Sequence, residues 1–296
     1  MTIALHFSEK KKKSVQNLIL ATLIAMGLYG IYKNGISYVF LGRMNWNQVF
    51  SLCLFPIIST ITHIGINLFQ KKKAFENICE GVLFGLMVPP LFPIWLFLLL
   101  ELIYFLCKII HLRIPISFLL FFKLLLCLSS LIFQIPYENL IENTTPYLYG
   151  ILDLFLGRSV GNLGTTSIIL LIVLYLFFNL DFYYKKDLPI YALVTFFLFS
   201  FIYSLFHPDY LFIREFLNSH LWFTAIVLLP SNDYSPATKN GRILYGILFG
   251  FLSFVFLSFL NIIDGCYYLL VFFQLLLPLV RYLWIKKQSI VYVKKT

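Results

Sequence analysis

Few residues in this chain have side chains suited to chemistry, and most of them cluster. Residues 135–167 read IPYENLIENTTPYLYGILDLFLGRSVGNLGTTS and form the longest interruption of an otherwise apolar chain. Within it, Gly161 and Gly164 allow a tight turn, while Thr165, Thr166 and Ser167 can cap the helix that follows. The free N–H groups and positive dipole end of such a helix suit a phosphate; a well-capped membrane helix has the same signature. Asn162 sits inside this turn. Thr144 and Thr145 are vicinal hydroxyls before Pro146. They read as a turn, and Asn143-Thr144-Thr145 also fits a glycosylation sequon. Two ionisable residues stand inside apolar runs, Glu101 and Lys123. Charge in lipid is costly, so such residues pair with one another or line an ion path. His63 has the same setting and reads more simply as a hydrogen-bonded core histidine.

Other chemistries are excluded. The sequence holds no paired carboxylate site, no HExxH, no P-loop and no nucleophile elbow, so no catalytic residue and no metal site is assigned. The five cysteines show no CxxC spacing and read as small core residues. The expectation is no hydrolase or kinase.

The elements that position these residues follow from composition. The chain has 296 residues, 60% of them hydrophobic and only 12% charged. A soluble domain is about half apolar and about a quarter charged. The sequence therefore predicts an all-α polytopic membrane protein in contact with the lipid bilayer, forming one integral membrane domain over 1–296. Ten apolar segments can be marked, at 15–33, 46–69, 78–88, 91–110, 115–134, 165–180, 188–206, 219–230, 241–260 and 265–285. The net charge of +10 is not evidence for nucleic acid, because the basic residues lie in short clusters between these segments.

Placing the N-terminus in the cytoplasm and alternating puts most basic clusters inside: Lys10–Lys13, Lys71–Lys73, Lys108 with Arg113, Lys185 with Lys186, Lys239 with Arg242, and the C-terminal group. Only Lys33, Arg43, Arg158 and Arg214 fall outside. Both termini are then cytoplasmic. Five segments (15–134), an outer loop (135–164) and five more (165–285) give two halves of opposite orientation, the topology of an inverted repeat. The third segment of each half is short and ends at prolines, in GLMVPPLFP (85–93) and LLPSNDYSP (228–236). Matching interruptions of this kind point to a binding site.

Several runs together resemble one family, that of the RnfD and NqrB membrane proteins of the Rnf-type electron-transport complex and the sodium-translocating NADH:quinone reductase. They are GNLGTTSIILLIVLYLF (161–177), SPATKNGRILYGILFGFLSFV (235–255), DGCYYLLVFFQLLLPLVRYL (264–283) and EGVLFGLMVPPLFPIW (80–95). The resemblance implies a bacterial inner-membrane subunit of a redox-driven ion pump. It would hold a flavin, FMN, near the extracytoplasmic face and pass electrons between partner membrane subunits. It also implies a phosphoester from FMN to the last Thr of a D-x-x-S-G-A-T motif, which by spacing falls on NLIENTT (139–145). Thr145 then matches the acceptor and Thr144 its neighbour, while Asn139 stands for Asp, and Glu142, Asn143 and Thr144 stand for Ser, Gly and Ala. In the same reading Gly161, Asn162, Gly164, Thr165, Thr166 and Ser167 face the flavin phosphate, with Ser235 and Pro236 completing the cofactor site and Glu101 and Lys123 on an ion path. The alternative is a flavin-free channel or scaffold of the same ten-helix fold, similar in topology to urea-transporter-type channels.

Overall fold

The structure is a computed structural model describing residues 2–40, 42, 44–72, 78–110, 116–135, 150–158, 161–181, 184–230, 235–260, 262 and 264–277, with side chains described from residue 14. Among the described residues all regular structure is helical. In chain order the helices are α1 (Thr2–Ile31), α2 (Ser37–Phe40), α3 (Trp46–Phe69), α4 (Ile78–Leu86), α5 (Ile94–Ile109), α6 (Phe118–Ile132), α7 (Ile151–Leu156) and α8 (Ile168–Phe178). There follow α9 (Asp187–Phe206), α10 (Phe212–Phe216), α11 (Ser219–Phe223), α12 (Lys239–Phe254) and α13 (Gly265–Leu277). Single π-helical turns at Tyr32–Ile36, Thr224–Leu228 and Val255–Phe259 extend α1, α11 and α12.

The chain is a multi-pass membrane protein. Four helical stretches are long and apolar enough to cross a bilayer: Ser14–Phe40, Trp46–Phe69, Asp187–Phe206 and Lys239–Phe259. Phe118–Ile132, Ile168–Phe178 and Gly265–Leu277 are apolar but shorter than the about 20 residues of a full span. Each of the ten apolar segments contains helix, and α7 and α10 are added in the links between them. Large side chains such as Ile61, Leu102, Leu205 and Leu244 are exposed along the outside, as expected of helices whose solvent is lipid.

Small residues let the helices approach closely, as is common where association must come from packing. On α12, a methyl at Gly250 would meet the Ala192 carbonyl oxygen of α9, and one at Gly246 would lie 2.8 Å from Tyr191 Cβ. On α4, Gly81 faces His63 and Thr60 of α3, and Gly85 faces the Pro56 backbone. Behind this contact Phe84 stacks on Phe122 of α6 at 4.6 Å, and Tyr104 of α5 meets the Phe84 ring edge-on at 4.6 Å. Such pairs add about 0.5–1.5 kcal/mol each beyond their area.

The α9–α12 contact is therefore sensitive to bulk. Gly250→Leu is expected to force the two helices apart and cost about 1–3 kcal/mol, seen as a lower unfolding midpoint in detergent. Leu248→Ala, on the 42% exposed face of the same helix, is expected to leave the midpoint nearly unchanged.

Candidate functional site

Helix α4 stops at Leu86, and the chain runs unwound through Met87, Val88, Pro89 and Pro90 to Pro93 before α5 begins. Three prolines remove three N–H donors, so the helix cannot continue. The carbonyls of residues 86, 87 and 88 are left without helical partners inside a membrane protein, where each unsatisfied group is costly. All three are met from elsewhere. The Gly164 N–H donates to the Leu86 carbonyl at 3.0 Å and the Leu163 N–H donates to the Val88 carbonyl at 2.8 Å. The Met87 carbonyl accepts from Lys123 Nζ at 3.3 Å.

The second strip of this crossing is GNLGTTS itself. Residues 161–167 are buried throughout, with Asn162 and Leu163 at 0% exposure. Gly161, at φ 159°, sits where a methyl would come 2.7 Å from Thr166 Cγ2 and 3.2 Å from Ser219 Oγ. Gly164 lies against the Leu86 side chain, and a methyl on Gly30 of α1 would meet the Leu163 carbonyl oxygen. That same oxygen accepts from Asn34 Nδ2 at 3.3 Å, beside the π turn that extends α1. At the head of α8, the Ser167 hydroxyl accepts from the Leu170 N–H.

Lys123 closes the crossing. Its ammonium is wholly buried, donates to Asn162 Oδ1 at 2.9 Å, and stands 4.8 Å from the centroid of the Tyr267 ring of α13. Asn162 in turn donates from Nδ2 to Thr165 Oγ1 at 3.3 Å. Tyr267 meets His220 of α11 edge-on at 5.7 Å, and His220 Nδ1 lies 3.6 Å from Asp264 Oδ1. Six elements thus converge: the π turn after α1, the strip after α4, α6, the strip before α8, and the ends of α11 and α13.

The arrangement differs from the site predicted from sequence. Asn162 meets Lys123 and Thr165 meets Asn162, but the Leu163 and Gly164 N–H groups are committed to carbonyls and do not face an open phosphate site. Thr144 and Thr145 lie outside the described residues. Ser235 is buried and held by Lys185, whose Nζ donates to its carbonyl at 3.0 Å and its hydroxyl at 2.6 Å. That places Ser235 and Pro236 beside the start of α9. Glu101 has no cationic partner among the described residues, and it does not pair with Lys123. Sequence reasoning does not single out Asn34, His220 or Asp264. Their signal is slight: each is a polar residue at the end of an apolar segment.

An open cleft of about 380 Å³ lies at the other end of α9, lined by Ile151 and Leu154 of α7 and by Ser204, Pro208, Tyr210, Leu211, Phe212, Ile213 and Arg214. Its volume falls within the roughly 300–1,000 Å³ of small-molecule sites. Burial pushes the Tyr210 hydroxyl up to about 12, against the hydrogen bond from Ser258. Burial also holds the neighbouring Glu215 carboxyl above its usual range, against the pull of Arg214. The 20 residues of α9 set this cleft roughly 30 Å from Ser235.

Residues 138–289 match the model of the NQR2, RnfD, RnfE family, just over half of the chain. The chain belongs to the NQR2, RnfD, RnfE family. The match runs from Glu138 through α13, so it takes in the GNLGTTS strip, the His220–Asp264 pair and both sides of the cleft. No curated protein matches the chain.

The Lys123 node lends itself to a double-mutant cycle. Lys123→Met leaves the Met87 carbonyl and Asn162 Oδ1 without their donor, and is expected to cost about 1–3 kcal/mol. Asn162→Leu alone leaves a buried ammonium short of an acceptor and is expected to cost at least as much. The pair together is expected to cost less than the sum, with a coupling of about 0.5–3 kcal/mol in denaturant titrations.

Proposed function

We propose that this chain is the membrane subunit of an ion-translocating electron-transport complex, holding FMN near the extracytoplasmic face and passing electrons between partner membrane subunits. Membership in the NQR2, RnfD, RnfE family carries this reading, because the matched residues include the loop that bears Thr145. Ten spans in two inverted halves, both termini in the cytoplasm and a bacterial inner membrane complete it, supported by the placement of the basic clusters.

The cleft beside α7 fits the flavin better than the GNLGTTS strip does. It is open, largely apolar, bears Tyr210 and Phe212 for stacking and Arg214 for an anionic edge, and begins at Ile151, six residues beyond Thr145. The strip has already spent its N–H groups on the Leu86 and Val88 carbonyls. When bound, the flavin would supply one- and two-electron chemistry. The chain's own part is to offer the Thr145 hydroxyl for attachment, to cover the ring with apolar side chains, and to keep α7 fixed. The left-handed Gly157 packs against Ser167 and ties that helix to the head of α8, while Arg158 and Asp153, 3.0 Å apart, pair within the α7 segment.

The neighbours of Thr145 favour a second reading, a flavin-free scaffold of the same fold. Asn139, Glu142, Asn143 and Thr144 all depart from the residues around the family's acceptor. One measurement separates the two. The denatured protein, produced with its attaching enzyme and run in a gel, is expected to fluoresce, and Thr145→Ala is expected to abolish the band. A dark wild-type band favours the scaffold, and a variant as bright as wild type overturns Thr145 as the attachment point.

A further inference from the structure

Glu101 on α5 is 2% exposed, and neither of its carboxylate oxygens has a hydrogen-bond partner. The hydroxyls of Ser59 and Thr62 on α3 lie close beside it, and the Thr62 hydroxyl donates to the Ile58 carbonyl at 3.0 Å. A bare carboxylate in such a place is costly and must be neutralised by something the described residues do not supply.

The surroundings say what and from where. Along α3 the polar residues Ser59, His63, Asn67 and Gln70 recur at spacings of four, four and three, which puts them on one face. Along α5, Glu101, Tyr104 and Lys108 do the same. The two faces meet, since Gln70 Nε2 donates to the Lys108 carbonyl at 3.1 Å. Ser59, His63, Asn67 and Tyr104 are all buried, and the Tyr104 hydroxyl has no partner either. The stripe begins at Glu101 and ends where α3 gives way to Lys71 and Lys72. Beyond Glu101, toward its other end, α5 carries apolar residues throughout, from Leu100 back to Ile94.

We propose that Glu101 is the proton-accepting end of a polar half-channel that enters the protein from the Lys71–Lys72 side. One proton, delivered along the stripe, adds to a carboxylate oxygen of Glu101 and leaves a neutral acid; no electron moves. The hydroxyl, imidazole and amide groups of the stripe are proton-relay groups. The titratable and charged groups on the packed elements are Cys53 and His63 of α3, Cys79 and Glu80 of α4, Tyr104, Cys107 and Lys108 of α5, and Lys123 and Cys127 of α6. Tyr104 lies within electrostatic reach of both Glu101 and Glu80, and the Lys108 ammonium sits over the Phe118 ring at 4.2 Å. This gives the ion-translocating part of the reading above a site and a cargo, rests on that part alone, and is independent of flavin.

Dicyclohexylcarbodiimide adds across protonated carboxyls in apolar settings and is the probe of choice. The full-length protein in liposomes is expected to gain one adduct on the peptide carrying Glu101, read by mass spectrometry after digestion. The adduct is expected to vanish as pH is raised on the Lys71–Lys72 side, to ignore pH on the opposite side, and to ignore sodium at fixed pH. Glu101→Gln is expected to lose it. No adduct on that peptide at any pH, control of labelling from the opposite side, or protection by sodium would each overturn the proposal. The labelling needs neither flavin nor electron transfer, so its outcome is separate from that of the gel.

Discussion

Backbone polarity inside a membrane is the constraint from which the rest of this structure follows. A proline-rich break such as VPPLFP strands carbonyl groups at a depth where water is absent. Here three consecutive carbonyls, those of Leu86, Met87 and Val88, are each given a donor by another part of the chain. Two donors are backbone N–H groups of the GNLGTTS strip and the third is the Lys123 ammonium. The break in α4 is therefore tolerated only because a second irregular strip, more than seventy residues later, is folded against it. Each strip satisfies the other, and neither is stable in this position alone.

This pairing ties early helices to late ones. The first strip follows α4, while the second leads into α8, so the hydrogen bonds between them join parts of the chain more than seventy residues apart. Gly30 and Asn34 bring α1 onto the Leu163 carbonyl, and Tyr267 brings α13 under Lys123. The buried lysine is fully used in this arrangement: two oxygen acceptors and an aromatic face surround it. Its cost of desolvation is offset by charge-assisted hydrogen bonds worth about 1.5–3 kcal/mol each, and by the register it imposes on the two strips.

Much of this is legible in the sequence, and what is not has definite physical reasons. The ten apolar segments are plain because lipid selects composition over long windows, and helix occurs in each of them. The special standing of GNLGTTS is plain from its glycines and hydroxyls. Its depth is not, because a glycine-rich capped turn has the same letters whether it meets a phosphate or another strand of backbone. The decisive partner, residues 86–88, carries no side-chain signal at all, since what binds there is three carbonyls. Lys123 and Glu101 both stand out as costly charges, yet a one-letter code cannot tell a lysine aimed at carbonyls from one aimed at a carboxylate. For Ser235, the similar run SPATKNG suggests a place at the cofactor, whereas Lys185 holds it at the opposite end of α9 from the cleft.

The two charges that do not pair mark a division of labour. Lys123 stands at the interface of the halves with its donors engaged, so it acts as a fixed positive post where the strips cross. A cation moving between the halves would have to pass that post, and repulsion in a medium of low dielectric makes such a route unfavourable. Glu101 is buried on α5, beside Ser59 and Thr62 of α3, and has no cationic partner among the described residues. The place where positive charge is excluded and the place where it is wanted thus lie on different helices, α6 and α5.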